Sequence, residues 1–222
     1  MEADLFLRLG TFVKWVGICL LPLFLLPLLT LVAPGSFARL SQWTSAQIDR
    51  ATGWVLNASI ICAVALVMFQ LLVVVASYAF ALSWTWLSEL VIYAFAAVFM
   101  LGAASALQHD AHVRVDILRP RFGRQGRDWV ELAGTYLFLF PICMRLLTTG
   151  EQGLARSWSL FEGSRESDGL PFLFMLKTLV PVFAILMLAQ GLAIASKAAL
   201  RLTGTMPPED EATPTTSSHY GA

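Results

Sequence analysis

WVLNASIICAVALVMFQLLVVVASYAFAL, running from Trp54 to Leu82, contains no charged residue in 29 positions, and its reading decides the fold. As an α-helix it is about 43 Å long, more than the roughly 30 Å of a bilayer's hydrocarbon layer, so it crosses with tilt or protrusion. Only Ser83-Trp84-Thr85 separates it from a second apolar run, Trp86 to Leu107. So short and uncharged a link makes the two helices antiparallel neighbours, with tryptophans suited to the membrane interface. Two further runs, Trp129 to Thr149 and Pro171 to Ala195, are also long enough to cross. The expected fold is an all-α integral membrane protein with a four-helix core at residues 51–202, spans near 54–82, 86–107, 129–149 and 171–195.

Composition agrees. Hydrophobic residues make up 57% of the 222 and charged residues 14%, where a soluble domain carries roughly a quarter. Mean hydropathy is +0.69. The net charge of +0 gives no global field to attract nucleic acid. Cys19, Cys62 and Cys143 all lie inside apolar runs, where they serve as packing residues rather than a disulfide framework.

Charge is instead concentrated in one cassette, His109-Asp110-Ala111-His112-Val113-Arg114-Val115-Asp116 running on to Asp128, which holds Arg114, Arg119, Arg121, Arg124 and Arg127. Cytoplasmic loops carry an excess of Lys and Arg, so this loop faces inward. The Ser83 hairpin and the Gly150 to Leu170 loop then face outward, and Lys197 and Arg201 return to the cytoplasm, leaving the core with both ends inside.

A fifth apolar stretch, Phe12 to Ala33 within an N-terminal extension of residues 1–50, is interrupted by Pro22 and Pro27. An extra transmembrane helix is the leading reading, since neighbours can satisfy the carbonyls that proline frees. A re-entrant or interfacial segment is an alternative. A signal peptide ending near Ser36 and Ala38 is a third, although Glu2 and Asp4 spoil its basic start. Beyond Thr203, Pro207, Pro208 and Pro214 among Thr and Ser predict a disordered cytoplasmic tail at 203–222.

For metal chemistry the sequence offers one cluster, His109, Asp110, His112 and Asp116, and no second ligand group to complete a zinc site. A polar membrane-edge segment is the better reading, and no cofactor is expected. With no nucleophile elbow and no phosphate-binding glycine loop, an enzyme is not expected either. Ionisable groups within spans call for a partner or a wet cavity. Glu89, Lys177 and Arg145 all fall near the outer ends of spans, which predicts that Glu89 is neutralised by Lys177 or Arg145. The alternative is that the basic groups snorkel outward and Glu89 meets water at the hairpin. Transporters that bind cargo at mid-depth interrupt two segments at matching positions. Here Pro181 alone marks the fourth span, so the chain reads as a helper rather than the carrier.

Ser88-Glu89-Leu90 opening a span, followed after it by His112-Val113-Arg114-Val115-Asp116-Ile117, resembles the small permease (Q) subunit of TRAP transporters, the tripartite ATP-independent periplasmic systems. The resemblance covers about Ile48 to Leu202. A second stretch, Ser157-Trp158, Glu162, Ser164, Glu166, Gly169-Leu170-Pro171 and Lys177, looks like the subgroup labelled for mannitol or chloroaromatic compounds. Where many members have an arginine before an aromatic pair, this chain has Ser77 before Tyr78-Ala79-Phe80.

The resemblance implies a bacterial inner-membrane subunit that braces a large permease (M) subunit. That partner moves an organic acid or similar solute with sodium, after a periplasmic solute-binding (P) protein captures it. The small subunit itself holds no catalytic group and no sodium site. On this view Glu89, His112, Arg114, Asp116, Trp158, Glu162, Glu166, Pro171 and Lys177 are interface positions. The His112 to Asp116 arm lies along the cytoplasmic face, and the Trp158 to Pro171 loop faces the periplasm. The competing class is an independent small carrier, or a membrane anchor for another complex.

Overall fold

The computed structural model describes residues 23–109 and 123–207. Its elements are helices: α1 (Leu23–Val32), α2 (Pro34–Phe80), α3 (Thr85–Gln108), α4 (Gly123–Gly134), a π-helical turn (Thr135–Leu139), α5 (Phe140–Ser159) and α6 (Leu173–Leu202). Four are long and apolar enough to cross a membrane, with α4, the π turn and α5 forming one continuous rod from Gln125 to Ser159. All four expected spans are present, and each helix except α3 runs well past its apolar stretch at one end.

The largest extension is at α2. Hydropathy starts the first core span at Trp54, whereas the helix starts at Pro34, whose missing N–H costs nothing at a first helical position. Its 47 residues make about 70 Å of helix, over twice the hydrocarbon thickness. The added segment is polar, which hides it from a hydropathy reading. Ser41, Thr44, Ser45 and Thr52 are its buried face, at helical spacing. The helix runs unbroken across residues 50 and 51, where the sequence suggested a boundary. At its other end α2 stops on Ala81, in the left-handed region at φ 54°. The N–H groups of Ala81 and Leu82 both return to the Ala76 carbonyl, closing the helix.

Helix α6 is the centre of the arrangement. It packs against α2, α3, α4 and α5, while α2 and α3 pack on each other and not on α4 or α5. The molecule is thus a hairpin of two helices on one side of α6 and a single long rod on the other. Small residues allow these approaches: Gly191, Ala193, Ala195, Ser196, Ala198 and Ala199 of α6 are all buried. A Cβ at Gly191 would run into Leu139, Phe140 and Thr135, so the π turn seats against a residue with no side chain. Between α2 and α3, Ser59 donates to the Val98 carbonyl at 3.0 Å beside Gly102.

The apolar core lies between α5 and α6, where Phe140, Cys143, Ala184, Leu188 and Leu192 are buried together. Helix α1 adds to it: Phe24 meets Phe140 edge to face at 4.8 Å, and the Tyr136 hydroxyl donates to the Phe24 carbonyl. The described part of this helix, Leu23–Val32, is about 15 Å long. Residues 12–22 of that apolar stretch lie outside the described residues, as do the 208–222 part of the expected tail and the cytoplasmic arm at 110–122.

Candidate functional site

Polar side chains gather in two clasps, one at each end of the bundle. At the hairpin end, the loop from Leu160 to Phe172 folds back over α3 and α6. Glu162 is its pivot. Its carboxylate accepts from the Lys177 ammonium of α6 and, at 2.7 Å, from the Ser157 hydroxyl of α5. Its carbonyl accepts the N–H of Phe174 in the first turn of α6, one of the groups a helix N-terminus leaves unsatisfied. The Lys177 hydrogen bond first, then that of Ser157, holds the Glu162 carboxyl below its ordinary value of 4.5. Trp158 stands on the same side, donating its indole N–H to the Thr178 hydroxyl at 3.0 Å and packing edge to face on Phe174 at 4.7 Å.

The second half of this clasp belongs to Glu89 of α3. One carboxylate oxygen accepts from the Ser164 hydroxyl, and the other accepts the Leu170 N–H at 2.6 Å. The loop closes on itself through Ser164 N–H to the Leu170 carbonyl at 2.9 Å. Gly169 permits the approach, since a Cβ there would overlap both Ser164 and Glu89. No ion pair joins Glu89 to Lys177 or to Arg145, which corrects the expected pairing. Lys177 is taken by Glu162, and Glu89 is satisfied by neutral donors from the loop. The reason is folding of the loop itself, which brings a nearer carboxylate to the lysine. Glu166 and Pro171 are exposed, Glu166 at the loop's tip with Arg165 and Asp168.

At the opposite end, which adjoins the arginine cassette, α6 is clasped from both sides. Arg201 reaches Asp128 at 2.6 Å and Glu131 at 2.7 Å, both on α4. These side chains are only 11% and 14% exposed, so the charges are paired largely out of water. On the α2 side, Lys197 pairs with Asp49 at 2.6 Å. The wholly buried Gln190 donates to Asp49 at 3.1 Å and accepts from Thr52 at 2.8 Å. Sequence reading did not single out this clasp. Its one local signal is that Asp128 and Glu131 are three apart and so share a helix face, facing a partner 70 residues away.

His112, Arg114 and Asp116 lie outside the described residues, and so do Asp110 and most of the possible metal cluster. His109, which follows the last turn of α3, has its Nδ1 2.9 Å from the Ser105 carbonyl and 3.3 Å from its hydroxyl. Among the described residues no group of three or more His, Cys, Asp or Glu is placed to hold a metal ion.

Apolar spans tied at each end by internally paired charges, around a core filled by Phe140, Cys143 and Leu188, define an integral membrane protein built for packing. Residues 71–201 match the family described as tripartite ATP-independent periplasmic transporters, DctQ component, and the chain belongs to that family, the small permease component of TRAP transporters. No curated protein and no solved structure matched the chain.

Proposed function

We propose that this chain is the bracing subunit of a sodium-coupled, binding-protein-dependent TRAP transporter of the bacterial inner membrane. It holds the large permease subunit in place while that subunit moves an organic acid or similar solute, delivered by a periplasmic binding protein. The observation that carries this reading is how the polar groups are spent. Those at the two ends pair with one another, and the eleven residues of α6 between Thr178 and Gln190, Leu179 to Ala189, are all apolar. Helix α6, the centre of the bundle, thus offers no polar group at mid-depth, where a carrier holds its cargo.

With the arginine cassette inside, the Glu162 clasp lies on the periplasmic face and the Arg201 clasp on the cytoplasmic one. The exposed tip Arg165-Glu166-Ser167-Asp168 is then placed to dock the binding protein or cap the large subunit.

Reconstitution in vesicles tests the assignment. Uptake driven by a sodium gradient is expected only when this chain, the large permease and the binding protein are all present, and none from this chain alone. Solute flux through the lone chain would overturn the assignment in favour of an independent carrier. Equal stability and monodispersity in mild detergent with and without the large subunit would count for an independent anchor.

A further inference from the structure

The rod formed by the π turn and α5 changes character halfway along one exposed face. Phe138, Ile142, Arg145, Thr149, Gln152 and Arg156 recur at helical spacing, and every one is exposed. The first two suit lipid, at 67% and 63% exposure; the last four do not. Three contacts fix how deep these four lie. Trp158 meets Thr178 near the hairpin end, the π turn and Phe140 sit against Gly191, and Asp128 holds Arg201 at the other end. Residues 145–156 are therefore level with α6 between Thr178 and Gln190, its unbroken apolar stretch. Sequence hydropathy ended the third span at Thr149 and left Arg156 in a loop; the helix instead continues to Ser159 beside α6.

Arg145 and Arg156 make no ion pair among the described residues, and of the long helices only α6 packs against α5. Unpaired charge against acyl chains is costly enough that such residues face protein or a water-filled cavity. We infer that this face of α5 is the docking surface for the large permease subunit, whose facing transmembrane helix presents carboxylate and hydroxyl or amide groups to Arg145, Thr149, Gln152 and Arg156. The inference rests on the subunit role proposed above and assigns the contact to one helix. Two arginines against the single nearby Glu151 leave the strip positive, so carboxylates are the complementary chemistry.

A photocrosslinking benzoylphenylalanine placed at Thr149, in membranes containing the large permease, tests it. The expected result is an adduct with the large subunit, at a yield at least tenfold above that from the same residue at Leu146, which packs toward the core. Arg145→Leu with Arg156→Leu, a change that suits lipid, is expected to cut co-purified large subunit at least tenfold without lowering the amount of this chain in the membrane. Adducts only with lipid or with a second copy of the chain, while the two subunits still co-purify, would overturn the docking surface and leave the bracing role standing. Undiminished co-purification of the double variant would overturn it too. A chain that never co-purifies with the large permease would remove the role and this surface together.

Discussion

Gly169 sits where any larger residue would overlap Ser164 and Glu89. Gly169→Ala is expected to push the loop off α3, and trypsin cleavage at Arg165 in detergent should speed up markedly against the parent protein. Glu162 supplies the pH dependence of the same clasp. Its carboxyl is held below the usual 4.5, chiefly by Lys177. A depressed carboxyl contributes stability above its unfolded value and loses it as pH falls through the folded one. The clasp is therefore complete at neutral pH and opens below 4.5, seen as faster proteolysis of the loop in acid by an acid-active protease. Glu162→Gln should be fast at both pH values. That Glu89 and Lys177 lie at the same end of the bundle was legible from their positions near span ends. Which carboxylate takes the lysine was not, because it depends on a loop whose path is set by Ser164 and Gly169.

At the scale of elements, spans read directly from hydropathy because lipid exposure demands long apolar runs, and the four came out near their expected positions. What escaped were the polar extensions. Residues 34–53 of α2 and 150–159 of α5 are helical because they pack on α6, a tertiary cause with no signature in local hydropathy. The Arg201 clasp belongs to this class. Arg201→Leu removes the cation that Asp128 and Glu131 share in a largely buried site, at a cost of about 3 kcal/mol. The check is a lowered midpoint of thermal unfolding in detergent. Ala81, left-handed at the end of α2, points the other way: Ala81→Gly relieves a steric cost of about 1 kcal/mol, raising that midpoint.

For the whole molecule, the topology turns on where the loops lie. Cysteine introduced at Ser167 is expected to react with a membrane-impermeant reagent in intact spheroplasts, and at Thr205 only after the membrane is breached. The reverse pattern would invert the protein. The division of the fold into a hairpin and a rod with α6 between them has no counterpart in the sequence, where all four spans look alike. The π turn at Thr135–Leu139 bears on that rod as a whole. It inserts an offset between the lower part, fixed by Asp128 and Glu131, and the upper part that carries Arg145. Rewinding those five residues as ordinary α-helix, with none removed, would rotate everything above by one residue's turn, about 100°. Phe140 and Cys143 would swing out of the core, and the cationic strip would turn away from its present bearing. The irregular turn is thus a phase setting, aligning two faces of one rod with two different neighbours.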